Sequence, residues 1–389
     1  MPDKIGAVIT GGDFQALGVL RTLAKKGIPT ILLDGDHCIS KYSKYNRKFF
    51  RSPQPSDTQQ YLNFLIDLAK KEKLSGWVIF PNSDAAVYIL SKYRDRLEEH
   101  YRIPTPCWEV VRKVYSKKET YKIAEKNGIA IPKTYYPAAL EELVKLDLRY
   151  PVVIKPSIRD HFYSKVKTKA FKINNKKELV KTYQWVCSII DPSEVLVQDF
   201  IPGGPKNLYS FCPFFENGKA ITSVMARRPR QHPMEFGHAS TFAELVDIPE
   251  LQQIAEKFLR LINYFGIAEV EFMLDPRDNH YKLLEVNPRV WGWHTLAVAA
   301  GVDLPFLLYQ HMIGEKVETP SILRDTAWVR LITDIPIAFT EIIRGNLKIA
   351  DYIASMKKKK EFAVLSLDDP LPFVAEIAMI PYLWKKRGY

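Results

Sequence analysis

Residues 269–289 read Glu-Val-Glu-Phe-Met-Leu-Asp-Pro-Arg-Asp-Asn-His-Tyr-Lys-Leu-Leu-Glu-Val-Asn-Pro-Arg, and no other stretch constrains the fold as tightly. Two six-residue runs, 269–274 and 281–286, flank a turn-forming cluster at 275–279, the pattern of a β-hairpin. Side chains alternate along a strand, which groups Glu269, Glu271 and Met273 on one face. On the second run Tyr281, Leu283 and Glu285 share a face that continues to Asn287. A turn centred on Asp278 sets Glu271 opposite Glu285 and Glu269 opposite Asn287.

Opposed carboxylates about 5 Å apart repel, and a purely structural sheet avoids them. A divalent cation removes the penalty. Hard carboxylate and amide oxygens suit Mg²⁺, which takes one or two protein carboxylates together with substrate phosphates. Arg289, just past the strand, can fork onto a phosphoryl oxygen or a carboxylate. The plain alternative is a hairpin with one solvated polar face and a chance glutamate pair.

Composition narrows the function classes. The chain has 389 residues, 47% hydrophobic and 26% charged, as expected of a globular protein with two or three domains. Cys38, Cys107, Cys187 and Cys212 form no C-x-x-C pair. Their scatter argues against zinc and disulfide frameworks and leads to an expectation of a reducing, cytoplasmic setting. No charged-then-apolar leader opens the sequence, and no uncharged apolar run reaches about 18–20 residues, so neither a signal peptide nor a transmembrane segment is expected. The net charge of +12 invites a nucleic-acid reading, supported by the basic and aromatic mixture at 40–51. That charge is spread along the chain, and an enzyme of anionic ligands carries the same bias. No nucleic-acid partner is expected.

Residues 5–34 read as strand, turn, helix and strand: apolar 5–10, Gly11-Gly12-Asp13, an amphipathic 14–26, and 28–34. This opens a parallel α/β sheet. Its glycines do not make the G-x-G-x-x-G dinucleotide fingerprint. A buried strand at 77–81 ends in Asn82-Ser83-Asp84, a usual ligand position in such sheets, although Asp84 is equally an N-cap candidate. In Pro151-Val-Val-Ile-Lys155, a lysine closes an apolar strand, which is costly unless an anion meets it. Residues 227–237 cluster Arg227, Arg228 and Arg230 with Pro229 and Pro233, and read as a rigid loop of fork-like donors for a carboxylate or phosphoryl group. A helix at 249–264 is expected to be capped by Asp247. Trp291, Trp293 and His294 either line a pocket or pack. Arg330 and Asp334 either back the site or pair with each other. The apolar 370–384 segment, followed by Lys385-Lys386-Arg387, either packs on the chain's own core or docks on a membrane or subunit.

The pattern Glu271-Phe … Leu-Glu285-Val-Asn287-Pro-Arg289 resembles the metal-binding signature of the ATP-grasp superfamily, nearest its carboxylate–amine ligase branch, and the likeness extends over roughly residues 5–315. It implies an α/β and α+β architecture: an N-terminal parallel α/β domain (1–103), a linker helix and small lobe (104–200), and a large lobe (201–318). A C-terminal extension (319–389) follows. The resemblance implies that Glu271, Glu285 and Asn287 hold Mg²⁺, with Mn²⁺ as the alternative ion, and that Lys117 and Lys155 contact ATP phosphates. It makes Gln198, Asp199, Phe200 and Ile201 the hinge against adenine. Arg289 with Arg227 or Arg228 would stabilise the transferred group. The implied activity is ATP-dependent joining of a small carboxylate to an amine through an acyl phosphate, in a chain compatible with homodimer formation. This sequence departs from the family pattern at Ser116, where an acid is usual, and at 158–169, which lacks the expected glycines. A nucleotide-sensing protein without ligase activity is the alternative.

Overall fold

A computed structural model describes residues 4–237, 239–318, 320 and 325–387, with side chains described through residue 383. The N-terminal strands are β1 (Ala7–Thr10), β2 (Thr30–Asp34), β3 (Lys48–Arg51), β4 (Trp77–Phe80) and β5 (Tyr101–Arg102). They form one sheet in the order β3-β2-β1-β4-β5, parallel throughout. Asp13 caps the helix Phe14–Lys25 by accepting from the Phe14 amide, which satisfies one orphan donor of its first turn. The last four residues of the 40–51 mixture, β3, form an edge strand. Its Phe49 and Phe50 pack against the two cores of the sheet.

A second sheet contains β6 (Thr134–Tyr135), β7 (Val152–Pro156), β8 (Phe171–Ile173) and β9 (Val195–Asp199), ordered β6-β9-β7-β8 and antiparallel. Helix Lys176–Cys187 covers it through Leu179, Tyr183 and Val186. The third and largest sheet has eight strands. These are β10 (Leu208–Glu216), β11 (Lys219–His232), β12 (Ala239–Val246), β13 (Gly266–Ile267), β14 (Glu269–Asp275), β15 (His280–Asn287), β16 (Thr326–Val329) and β17 (Lys359–Phe362). The order is β15-β14-β10-β11-β12-β16-β17, with β13 paired to β10. Residues set apart in sequence as a C-terminal extension thus supply β16 and β17 to this sheet.

One apolar core joins the first and third sheets. Ile9, Leu32 and Phe80 of the parallel sheet share it with Phe214, Ala226, Trp291, Trp293 and Trp328. Gly18, inside the first helix, makes the approach possible, because a Cβ there would lie 2.6 Å from the His294 ring. Trp291, Trp293 and His294 therefore pack and do not line a pocket. Burial pushes His294 down to about 4, so it stays neutral near pH 7.

Three local expectations change. The helix near 249 spans Pro249–Leu261, and its N-cap position is held by Ile248 rather than Asp247; Pro249 at its first turn has no N–H to be capped. The arginine stretch is not a loop but the continuation of β11, with register shifts around Arg230. Arg330 and Asp334 do not pair with each other. Arg330 binds Glu376 at 2.7 and 3.0 Å, and Asp334 binds Arg230 at 2.8 and 2.9 Å. The side chains of the basic run at 385–387 lie outside the described residues. Among the described residues no helix is long and apolar enough to cross a membrane.

Candidate active site

The β14–β15 hairpin places Glu271 opposite Glu285 and Glu269 opposite Asn287. Two departures from the expected hairpin cancel to give this register. Asp275 pairs with His280, so the turn is centred half a residue earlier than Asp278, and a bulge between Glu271 and Phe272 restores the offset. The bulge also reverses the facing of β15. Leu283 and Val286 both enter the core under helix Pro249–Leu261, whereas Leu284 and Glu285 both face a cavity. Tyr281 and Leu283 therefore do not share a face with Glu285, because an extra residue in a strand breaks its two-residue alternation.

That cavity, about 410 Å³, lies between the small and large sheets. Lys117, Lys155, Gln198, Asp199, Phe200, Ile201, Glu271 and Glu285 all line it. Asn287 faces a small adjoining recess with Asp84, Arg159 and Glu285. The amides of Asp199 and Phe200 are taken by the carbonyls of Lys133 and Pro151. The next amide along the hinge belongs to Ile201. Gln198 is held by donating to Thr134 Oγ1 at 2.6 Å.

Glu285, Glu271 and Asp84 are each matched to a cation from another element. Lys117, at the start of helix Lys117–Lys126, reaches Glu285 at 2.8 Å. Burial alone would raise the Glu285 carboxyl, but Lys117, Lys169 and Lys155 together hold it well below the usual carboxylate range. Arg228 donates to Glu271 Oε2 at 2.5 Å and lies 3.6 Å from Glu269. Asn287 Nδ2 donates to Glu271 at 2.9 Å and to Glu269 at 3.2 Å. Asp84 does not cap its helix; Ser83 does. Asp84 instead accepts from Arg289 Nε at 2.6 Å, with Arg159 3.9 Å away. Burial opposes ionisation of Asp84, but Arg289 and Arg159 hold it low.

Two lysines are poised for an anion. Lys155 Nζ donates to the Tyr121 hydroxyl at 2.7 Å. Burial, and then the charge of Lys117, pull its ammonium down to about 7. Lys169, at the far end of the glycine-free segment, donates to the Gly237 carbonyl at 2.8 Å. Burial, and then Arg159, lower it to about 8. Desolvation of a cation beside other cations has this effect, and a bound polyanion relieves it.

The three arginines expected as one cluster separate. Arg227 pairs with Glu244 at 2.5 Å, half-exposed and lining neither cavity. Arg230 is buried on Asp334. Only Arg228 reaches the site. The cause is the β11 bulge, where Arg228 and Pro229 together oppose Ala243 between the pairs Arg227–Glu244 and Arg230–Phe242. Sequence reasoning left Glu269 without a role and Asp84 open between a ligand position and an N-cap. Glu269 is buried on Ser210 and on Trp293 Nε1, both at 3.0 Å. Its spacing of two residues from Glu271 was the available signal.

A family model described as "ATP-grasp in the biosynthetic pathway with Ter operon" matches residues 194–335, which span the hinge, the hairpin and β16. Biotin carboxylase from Campylobacter jejuni, solved with a β,γ-ATP analogue, superposes with a TM-score of 0.65 at 17% identity, over 83% of this chain and 74% of that one. This is an ATP-grasp fold. Two ligases extend the likeness. L-amino acid ligase from Bacillus licheniformis aligns with a TM-score of 0.63 at 14% identity, covering 81% and 75% of the two chains. D-aspartate ligase from Enterococcus faecium (strain Aus0004) is 23% identical over 304 residues, 74% of this chain and 72% of the relative.

Proposed function

We propose that this chain is an ATP-dependent ligase that joins a small carboxylate to an amine, releasing ADP and phosphate. The observation that carries the reading is the opposed Glu271–Glu285 pair standing in one cavity with Lys117 and Lys155. The ligase relatives support it.

In this reading the adenine lies along residues 198–201, with the Ile201 amide as its donor. Lys155 and Lys169 sit where nucleotide phosphates would restore their full charge. No group of three His, Cys, Asp or Glu residues converges for a metal among the described residues. The oxygen set is instead Glu271, Glu285 and the amide oxygen of Asn287, hard donors that would hold Mg²⁺ or Mn²⁺. Such an ion would neutralise phosphate charge and orient the terminal phosphoryl group. Lys117 pairs with Glu285 and Arg228 with Glu271, and Asn287 is oriented through its amide nitrogen by Glu269 and Glu271.

For the chemistry, a substrate carboxylate oxygen attacks the terminal phosphorus, and the bond to the ADP oxygen breaks. The amine nitrogen then attacks the acyl carbon of the acyl phosphate. The carbon–oxygen bond to phosphate breaks, and the amine loses a proton. Arg289, fixed by Asp84, and Arg228, fixed by Glu271, would add positive charge behind the carboxylates and so help to offset the charge that develops on the phosphoryl oxygens. Positioning and charge compensation of this kind account for most of the catalysis in phosphoryl transfer.

Phosphate release measured with MgATP across amino acids and small carboxylic acids, each with and without an amine, tests the reading. Release that requires an acid and an amine together is expected. ATP binding without release across the whole screen points to a nucleotide sensor instead.

A further inference from the structure

The C-terminal helices carry their polarity inside out. In helix Leu331–Ile343, Asp334, Ala338 and Glu341 face inward and are buried. Asp334 is held there by Arg230 and by Thr241 Oγ1 at 2.8 Å, and Glu341 by Asn346 Nδ2 at 2.9 Å. The outward face repeats at four-residue spacing as Ile335, Phe339 and Ile343, with Phe339 65% and Ile343 70% exposed. The next helix, Ile349–Lys357, exposes Ile349 and Ile353 in the same way. A helix on a water-facing surface places its apolar stripe inward and its charges outward; this pair does the reverse.

Charge identifies what covers the face. Arg344 and Lys348, in the short connection between the helices, are exposed, as are Lys357 at the end of the second helix and Lys359 just past it. The only acidic residue between 344 and 360 is Asp351. Lys358 is already engaged by Glu244. Apolar side chains rimmed by lysine and arginine match a bilayer with anionic headgroups, where the rings and isoleucines enter the acyl boundary and the cations stay at the phosphates. A second copy of the chain would bring the same basic rim against itself.

We infer that the helical pair 331–357 docks this protein on an anionic membrane surface. The inference is independent of the ligase reading, because its readout is binding to lipid. Full-length chain is mixed with vesicles of phosphatidylcholine, or of phosphatidylcholine with phosphatidylglycerol, and sedimented. Binding is expected only to the anionic vesicles, weakening as salt is raised. Lys348→Ala should lower partitioning about fivefold. Phe339→Glu with Ile343→Glu should abolish it while the thermal midpoint stays unchanged, since both side chains are exposed. Absence of sedimentation, or equal sedimentation of wild type and the double variant, overturns the inference. So does a wild-type dimer in sedimentation velocity that the double variant makes monomeric without any vesicle binding, which assigns the face to a second copy.

Discussion

Glu271 and Glu285 stand opposite each other on β14 and β15, yet each is answered by a cation from a different part of the chain. Arg228 of β11 meets Glu271, and Lys117 from the linker helix meets Glu285. The like-charge penalty of the pair is thus covered before any ligand arrives. Glu285→Gln removes charge without removing volume, so the fold should survive while turnover falls at least about a hundredfold, the scale of losing one group that stabilises the transition state. Near-normal rates for this variant at limiting Mg²⁺ would remove Glu285 from the metal site.

Lys155 makes nucleotide binding depend on pH. Its ammonium is pulled down to about 7 in the free protein, and a phosphate favours the charged form. Binding therefore takes up a proton at and above that pH, and affinity should decline as pH rises through 7. Calorimetry in two buffers of different ionisation enthalpy measures the uptake. Lys155→Ala should weaken ATP binding by about 1.5–3 kcal/mol, the range for a charge-assisted hydrogen bond, and abolish the proton uptake. Unchanged affinity would make β7 merely structural.

The divided arginines give opposite expectations. Arg228→Lys keeps the charge but loses the fork that spans Glu271 and Glu269, so turnover should fall with little change in the KM for ATP. Arg227→Lys alters a half-exposed pair with Glu244, worth about 0–1 kcal/mol, and should leave both KM values and kcat in place. A strong effect at Arg227 alone would return that residue to the substrate site.

The buried pair Arg330–Glu376 is a stability contact between β16 and the C-terminal helix Leu371–Ala378. Glu376→Ala strands a buried guanidinium, and about 3–5 kcal/mol of unfolding free energy should be lost. Denaturant unfolding reads this directly. A loss under about 1 kcal/mol would mean that water reaches Arg330.

Much of the fold was legible because it rests on local periodicity. The first strand–helix–strand unit and the apolar strand that carries Lys155 both follow from apolar spacing and turn residues. The Glu271–Glu285 pairing was also legible, but only because a shifted turn and a bulge offset each other. Such bulges have no period-two signature, which is why the facing of Leu283 and the continuation of β11 through Arg230 were misread. The ion pairs that assemble the site were not legible. Arg228 lies 43 positions before Glu271, and Arg289 lies 205 after Asp84. Which elements become neighbours is decided by sheet order rather than by residue pattern.

The central claim is that the hairpin holds a metal ion against nucleotide phosphates, and Mn²⁺ reports on this by electron paramagnetic resonance. With wild-type protein and ADP present, the free-ion signal should fall, and it should fall much less when ADP is omitted. Glu271→Gln and Glu285→Gln should each leave the ion free under the same conditions. If both variants take up Mn²⁺ with ADP as wild type does, the hairpin is not the metal site.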